Sequence, residues 1–322
     1  MNGLSKDSVN FVEIDESAAA QRIDNFLLKR LKGVPKSHIY RILRGGEVRV
    51  NKKRIDQTYR LQPGDRVRIP PIRVAERDAT GAAHVPAAEF PVIFEDDALL
   101  AVYKPAGVAV HGGSGVSFGV IEQLRNARPQ AKFLELVHRL DRETSGVLLL
   151  AKKRSALTAM HGIMREGNSD KRYLALVLGQ WKNARQHVRL PLHKFDTAQG
   201  EKRVMVREDG LASHTVLALQ RSWAPRNDRP GFSLLEAQLK TGRTHQIRVH
   251  LAHLGFPIAG DDKYGDFARN KALAKQGLKR MFLHAYSIAF AHPLTGEPMR
   301  LVAPLAEELQ GFIAKLDAAA AP

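Results

Sequence analysis

The sequence predicts an α+β protein with two domains, a small basic domain followed by a larger one built on a mixed, largely antiparallel sheet. A chain of 322 residues with 44% apolar content can form one sizeable core and a smaller accessory domain. The first part of the chain has the pattern of two short helices followed by short strands. From Phe90 onward, strand-like apolar runs alternate with helical stretches and turns, which is typical of an α+β domain.

The N-terminal part begins with residues 1–18, which have no apolar periodicity and therefore predict a loose tail. An apolar stripe then predicts a first helix, which Gly33 ends. A second helix is expected from a cap at Ser37 to a stop at Gly45. The inward residues of the two helices are Ile23, Phe26, Leu27, Leu31, Ile39, Ile42 and Leu43. Short strands are expected at Val48 and Val50, at Ile55, and at Val67 and Ile69.

The stretch PPIRVAERDATGAAHVPAAEF is rich in Ala and Pro, has no clear period and predicts a linker. We expect the first domain to span residues 19–75, the linker 76–89 and the larger domain 90–316. Strands of the larger domain are expected at the apolar runs 99–102, 147–151, 173–178, 215–219 and 234–239.

The charge of the chain indicates a polyanionic partner. Its formal net charge is +17, and residues 19–70 hold 14 Lys and Arg against 4 Asp and Glu, a net +10. Nucleic acid is favoured over an anionic membrane surface because no strongly amphipathic terminal helix is visible; a contribution to solubility alone is the alternative. The absence of cysteine excludes disulfides, thiolate catalysis and Cys-ligated metals. With neither a long apolar run nor a signal-peptide pattern, we expect a soluble, cytoplasmic protein.

The segment ELVHRLDRETSGVLLLAKK, residues 134–153, carries the most unusual chemistry. Asp141 lies between Arg139 and Arg142, just before the apolar strand that includes Val147. Nearby guanidinium groups favour an ionised carboxylate, which is the form that acts as a nucleophile. An ordinary surface cluster of ion pairs is the alternative interpretation of these residues alone.

A second candidate segment is TGRTHQIRVHLAHLG, residues 241–255. If a helix starts near Thr244 and ends at Gly255, Arg248 lies at the edge of its buried stripe and needs an anion, for which Asp141 is a good match. The spacing of its three histidines, His245, His250 and His253, does not bring them to one helix face, so we expect no metal site. Four other basic residues are interpreted as phosphate contacts or as a solvated face, namely Lys104, Lys152, Lys153 and Arg154.

Residues 20–75, with the motifs GGEVRVNKKRI and LQPGDRVRIP, resemble the S4-type RNA-binding domain of a small-subunit ribosomal protein. The nine residues HRLDRETSG resemble the signature of the pseudouridine synthases related to RluA, RluC and RluD. The segments VYKPAGVAVHGG, KRYLALVLG and TGRTHQIRVHLAHLG agree with that resemblance. The glycine-rich HGGSGVSFGVIEQLR and the S4-like domain together are most similar to the RluC branch, whose members modify several uridines of 23S ribosomal RNA.

The resemblance implies a role for each matching residue. Asp141 would be the nucleophile, Tyr173 the aromatic residue against the target base and Arg248 the partner of the aspartate. Arg139 would take the place that the flipped base vacates. The S4-like domain would contact phosphates through Arg41, Arg44, Arg49, Lys52, Lys53 and Arg54.

The reaction implied is an isomerisation in which the bond from uracil to ribose breaks and C5 of the base rejoins C1′. We therefore expect neither a cofactor nor a metal. The expected partner is 23S ribosomal RNA of an unassembled or partly assembled large subunit, without a membrane or a protein partner. Three alternatives stay open: a noncatalytic ribosome-assembly protein, a synthase acting on another RNA such as tRNA, and an RNA N-glycosidase that releases free uracil.

Overall fold

The computed structural model describes residues 8–31, 34–72, 85–113, 116–198, 200–226 and 230–320. The chain forms two compact units, Met1–His84 with Lys153–Ser155, and Val85–Lys152 with Ala156–Pro322. Within the described ranges, no helix combines the length and the apolar character needed to cross a membrane.

The first unit is a four-stranded antiparallel sheet with two helices. Its strands have the order β1-β4-β2-β3, so the first strand lies beside the last. Its elements are β1 (Asn10–Glu13), a short 3-10 helix (Glu16–Ala18), α1 (Ile23–Arg30), α2 (Lys36–Arg44), β2 (Arg49–Val50), β3 (Lys53–Arg54) and β4 (Arg66–Ile69).

The seven expected inward residues of α1 and α2 are all buried, and Gly45 is the C-cap of α2. The tail prediction is wrong for residues 10–13, because β1 pairs with β4 and buries Val12. Ser37 is not the cap, since α2 already begins at Lys36 after Pro35. Ile55 lies one residue beyond β3. Gly33 lies outside the described residues.

The second unit is built on a ten-stranded sheet with helices on both faces. Eight strands follow the order β10-β13-β14-β9-β15-β8-β6-β5, while β16 pairs with β15 and β7 with β8. Every pair is antiparallel except β8 with β15, so the sheet is mixed and largely antiparallel as expected. A separate hairpin is formed by β11 and β12.

The strands of this unit are β5 (Val92–Glu95), β6 (Leu99–Lys104), β7 (Glu135–Leu136), β8 (Ser145–Ala151), β9 (Asp170–Leu178), β10 (Arg185–Val188), β11 (Leu192–Asp196), β12 (Lys202–Val206), β13 (Thr215–Trp223), β14 (Phe232–Leu239), β15 (Leu283–Ala291) and β16 (Pro298–Val302). The helices are α3 (Val120–Ala127), α4 (Arg154–Arg165), α5 (Gln246–His253), α6 (Phe267–Lys275) and α7 (Glu307–Ala320). All five apolar runs expected as strands lie in strands.

Strand β8 explains the uninterrupted apolar run of the sequence. Leu148 and Leu150 point to the core that contains α3 and α7, whereas Val147 and Leu149 point to the core covered by α4. Alternate residues of a strand face opposite sides of the sheet, and both sides are covered here. The strand is therefore a rigid support for the loop that precedes it.

The linker prediction needs correction at its end. Residues 73–84 lie outside the described part of the chain. Residues 85–89, however, bond to α3 and its C-cap, since Asn126 donates to the Val85 carbonyl at 2.9 Å and Arg128 pairs with Glu89 at 2.8 Å. The second unit therefore begins before residue 90.

Candidate active site

A cavity of about 590 Å³ lies in the second unit, between the loop before β8, the start of β9 and the segment that leads into α5. Asp141 is the only acidic residue among the described residues that line it. Five basic residues line it as well: Arg139, Arg165, Lys171, Arg243 and Arg248. The cavity thus combines one carboxylate with a strongly positive wall, which suits a polyanionic ligand.

Asp141 lies in the loop between β7 and β8, and its side chain is 26% exposed. The Asp141 carbonyl accepts from the Thr144 amide at 3.1 Å, which makes a tight turn into β8. Gly146 follows at φ 118°, and a Cβ added there would lie 2.2 Å from the Ala285 carbonyl of β15. Only glycine lets the two parallel strands approach so closely at this point. The carboxylate is thereby held at the edge of a fixed sheet.

Lys104 supports the same loop from below. Its side chain is fully buried, and its Nζ donates to the carbonyls of Pro105, Val108 and Arg142 at 2.7, 2.7 and 3.0 Å. Burial lowers the pKa of Lys104 to about 7, while the three carbonyl oxygens favour the ammonium form. The interpretation of Lys104 as a phosphate contact or solvated residue is therefore wrong. It ties the residue after Asp141 to the end of β6.

Arg248 contacts three carboxylates, of which the exposed Asp262 lies 3.5 Å from Nη2. Its Nη1 lies 3.3 Å from Oδ2 of Asp141, as expected, but its shortest bonds run from Nε and Nη2 to Asp261, at 2.8 and 2.7 Å. Asp261 also accepts from the amides of Lys263 and Tyr264 at 2.8 and 3.0 Å. A bidentate pair fixes the plane of a guanidinium. Asp261 therefore orients Arg248 toward Asp141.

Both members of the Arg248–Asp261 pair are ionised although both are buried. Burial opposes the charge on Asp261, but the hydrogen bonds from Arg248 outweigh it and hold the carboxyl pKa below its usual value. Burial likewise opposes the charge on Arg248, and Asp261 followed by Asp141 raises the pKa of the guanidinium. Arg248 is 4% exposed, so it offers its charge to Asp141 and not to a phosphate at the surface.

Tyr173 lies on β9 and lines the same cavity as Asp141. Its ring is 8% exposed, and burial, followed by the charge of Asp141, raises the pKa of its hydroxyl. Lys171 lies two residues earlier, so its side chain is on the same face of the strand. Burial lowers the pKa of Lys171. An aromatic ring and an ammonium group thus share one wall of the cavity.

His245 is the N-cap of α5 and lines the cavity, although the sequence suggests a helix start near Thr244. It has left-handed backbone angles, φ 53° and ψ 21°, a strained conformation for a residue other than glycine. Its Nδ1 bonds the Tyr264 hydroxyl at 2.8 Å, and its Nε2 lies 3.9 Å from Oδ1 of Asp141. Burial lowers the pKa of His245, which favours the neutral ring.

Two of the three histidines in this segment, His245 and His250, contact side chains. His250 contacts the hydroxyls of Ser213 and Thr215 at 2.9 and 3.0 Å. Across the described ranges, no group of three or more His, Cys, Asp or Glu residues could hold a metal ion.

The remaining expected site residues lie at surfaces. Arg139 is exposed at the cavity and has no carboxylate partner within the described residues. The six basic residues of the first unit, Arg41, Arg44, Arg49, Lys52, Lys53 and Arg54, are all exposed. Asn51 and Lys52 have positive φ angles of 50° and 67°, which turns β2 into β3.

Sequence reasoning missed Asp261 and Tyr264, and it named Lys104 and His245 without the contacts that they make in the site. A buried arginine requires a buried anion, and the acidic segment GDDKYGD contains one in Asp261. Sequence reasoning paired Arg248 with Asp141 alone. The ring of Tyr264 lies 5.1 Å from the Arg248 guanidinium carbon, a cation–π contact. No local sequence pattern predicts the contacts of Arg248 with Asp261 and Tyr264.

Two known families match this chain. The family described as RNA pseudouridylate synthase matches residues 98–253, and the S4 domain family matches residues 21–67. Among solved structures, Human RNA Pseudouridylate Synthase Domain Containing 4 covers 70% of this chain and 92% of its own, with a TM-score of 0.55 and 24% identity. Human RNA Pseudouridylate Synthase Domain Containing 1 covers 73% and 97%, with a TM-score of 0.54 and 24% identity. These two structures show the fold of the second unit.

Curated relatives are much more similar in sequence. Ribosomal large subunit pseudouridine synthase C of Pasteurella multocida is 52% identical over 96% of this chain and 94% of its own length. The protein of the same name from Escherichia coli K12 is 53% identical over 96% of this chain and 97% of its own length. The chain therefore belongs to the RNA pseudouridylate synthase family, with an S4 domain ahead of its catalytic domain.

Proposed function

We propose that this protein isomerises uridines of large-subunit, 23S ribosomal RNA to pseudouridine, with Asp141 as the nucleophile. The observation that carries the proposal is a cavity in which Asp141 is the one carboxylate among the described lining residues, held at a sheet edge and paired with a buried arginine. The names of the relatives from Pasteurella multocida and Escherichia coli support the choice of the large subunit.

In the proposed reaction the bond between N1 of uracil and C1′ breaks, the base rotates, and C5 bonds to C1′. C5 then loses its proton to solvent and N1 gains one, so the product is an isomer of uridine. Asp141 initiates this change as an ionised carboxylate, and Arg248 keeps a positive charge 3.3 Å from it. The guanidinium of Arg248 stays oriented toward Asp141 because Asp261 binds it through two hydrogen bonds.

The target base must leave its stack to reach the cavity. A volume of about 590 Å³ falls within the usual range for a small-molecule site, about 300–1,000 Å³. We assign the ring of Tyr173 to the face of the flipped base. We assign Arg139, exposed at the cavity, to the gap that the base leaves in the RNA.

The exposed basic residues of the S4 domain supply phosphate contacts that position the RNA without reading its sequence. A flipped base requires RNA that can be locally unpaired. We therefore propose free ribosomal RNA, or a partly assembled large subunit, as the substrate.

The test uses large-subunit RNA labelled with tritium at C5 of uridine. The protein should release tritium and leave the RNA chain and its glycosidic bonds intact. Free uracil and abasic sites would indicate a glycosidase, and no release from any RNA would indicate a binding protein. Faster release from tRNA than from large-subunit RNA would contradict the substrate assignment, as would faster release from mature 50S subunits than from free RNA.

The assignment of Asp141 is tested by Asp141→Asn, which keeps the shape of the side chain but removes the nucleophile. Tritium release should disappear while RNA binding is kept. The matched control is Asp262→Asn, because Asp262 also lies within 3.5 Å of Arg248 but its side chain is 76% exposed. The control should retain activity. Turnover of Asp141→Asn within about tenfold of the unmodified protein would refute the role of Asp141.

A further inference from the structure

A second cavity, of about 400 Å³, adjoins the first one. It lies between the β11–β12 hairpin, the turn at residues 209–211 and the segment 242–244. Gly242 and Arg243 line both cavities, so the two share a wall. A chain that enters one can therefore continue into the other over the backbone of Gly242.

Hydrogen bonds and packing contacts fix the segments that line the second cavity. Leu192 and Leu211 exchange two backbone hydrogen bonds of 2.9 Å, which fold the turn onto the start of β11. A Cβ added at Gly210 would lie 2.6 Å from the Leu192 backbone, so glycine is needed for this approach. On the inner side, Leu192 and Val204 pack against Val249 of α5, the helix that carries Arg248.

The two cavities are also joined by side chains. The Tyr264 hydroxyl accepts from the Val204 amide in β12 at 3.0 Å and bonds His245 at 2.8 Å. The hairpin is thereby fixed to the N-terminus of α5, beside Asp141. Its position relative to the first cavity is set by these contacts.

The charges along the shared wall favour an anionic ligand. Asp209, the acid that lines the second cavity, already pairs with Arg207 through Nη2 at 2.8 Å. Lys194 and Arg243 have no carboxylate partner among the residues that the structure describes, and the side chain of Arg243 donates only to the Ala212 carbonyl, at 3.2 Å. On the other side of Gly242, Nζ of Lys171 lies 3.9 Å from the place a Cβ would take. Cations therefore stand on both sides of the shared wall.

The second cavity also offers an apolar surface. Leu211 lines it and is 60% exposed, so a ligand in this cavity can contact its side chain. Every type of nucleobase has an apolar face, so an exposed apolar side chain can pack against any base. A leucine cannot read the identity of that base by hydrogen bonds.

We propose that the second cavity binds the nucleotide next to the target uridine in the same RNA strand. Its base lies against Leu211, and the phosphate that links the two nucleotides lies at Gly242 between Lys171 and Arg243. The inference rests on the proposed function, because it takes the first cavity as the site of the flipped uridine. The subsite recognises an unpaired neighbour of any sequence and so restricts the enzyme to uridines beside a second unpaired base.

The test compares three full-length proteins: the unmodified chain, Leu211→Asp and Met205→Asp. Met205 is the matched control because it is also exposed on the hairpin, at 43%, but the neighbouring Val204 is the residue of β12 that lines the cavity, so Met205 faces the other side. Each protein meets a fragment of large-subunit RNA and two copies in which the base on one or the other side of the target uridine is removed. RNA binding is measured by fluorescence anisotropy and the chemical step by single-turnover tritium release.

Removal of the base on one side should weaken binding to the unmodified protein and to Met205→Asp by about tenfold. Leu211→Asp should bind the intact RNA about tenfold more weakly and lose nothing further when that base is removed. The chemical rate of Met205→Asp at saturation should stay within about threefold of the rate of the unmodified protein.

Two results would overturn the subsite: equal losses for Leu211→Asp and the unmodified protein when the base is removed, or no loss in either. Both are read from binding and do not depend on catalysis. Absence of tritium release from the unmodified protein would instead refute the proposed function.

Discussion

Replacing Arg248 by methionine separates the structural from the chemical role of this arginine. The change leaves Asp261, whose side chain is 1% exposed, without its bidentate partner. Loss of one member of a buried pair typically costs about 3–5 kcal/mol. For a unit of this size each kcal/mol lowers Tm by about 2–4 °C, so we expect a decrease of about 6–20 °C.

The chemical effect follows from the contact with Asp141. Two unit charges about 4 Å apart interact by about 4 kcal/mol at an effective dielectric constant of about 20. Asp141 is 26% exposed, and solvent reduces this value, so we expect a loss of about 1–3 kcal/mol. That range corresponds to a chemical step about 5- to 150-fold slower. RNA binding should change less than threefold, because a buried arginine does not meet phosphates.

The assay is single-turnover tritium release at saturating RNA, at a temperature where circular dichroism shows the variant folded. Arg248→Lys is the second variant, since lysine keeps the charge but cannot form the bidentate pair and reach Asp141 together. It should recover part of the stability and part of the rate. If Arg248→Met lost RNA binding in the same proportion as rate, Arg248 would be a phosphate contact and the reasoning would be wrong.

Three further outcomes are expected. Lys104→Met should destabilise the protein by about 2–4 kcal/mol and slow the chemical step, because the carbonyls of Pro105, Val108 and Arg142 lose the hydrogen bond from Nζ. An unchanged urea midpoint would contradict this. Burial lowers the pKa of His284 to about 4 from 6.5, so the folded state binds fewer protons than the unfolded state between these values. The free energy of unfolding should therefore be fully retained above pH 6.5 and decrease by about 2 kcal/mol at pH 5, with a smaller decrease in His284→Gln. Urea unfolding at pH 7 and pH 5 would show this difference. Deleting residues 1–84 should weaken RNA binding and make its dependence on salt shallower, since fewer counterions are released. The single-turnover rate at saturating RNA should stay within about threefold. A large decrease in that rate would mean that the S4 domain helps to assemble the active site.

The elements that could be predicted from the sequence are those whose signal is local. The run VLLLA in β8 is apolar at every position because both faces of the sheet are covered, and the stripes of α1 and α2 mark one buried face each. The signature around Asp141 places the carboxylate just before such a strand. Its location in a cavity with Tyr173 and Arg248 follows from the fold that the signature indicates.

The features that could not be predicted depend on distant partners. Strand β1 is held by β4, more than fifty residues away, while its own sequence shows little alternation. In the sequence Lys104 resembles a surface cation, whereas in the folded chain its Nζ donates to three carbonyls. His245 takes a left-handed conformation that no capping preference suggests, and the bond to Tyr264 supports it. In each case long-range packing overrides the local preference.

The parallel pairing of β8 with β15 has a consequence for the synthesis of the protein. His284 of β15, which bonds Ser145 of β8, follows it by 139 residues. At about 5–20 residues per second, the ribosome needs roughly 7–28 seconds to make that stretch. During this time Ser145 and Gly146, the two residues of β8 that pair with β15, lack their partners, whereas β6 and β7 can already pair with the rest of the strand. The turn after Asp141 can therefore reach its final hydrogen bonding only once β15 has been made.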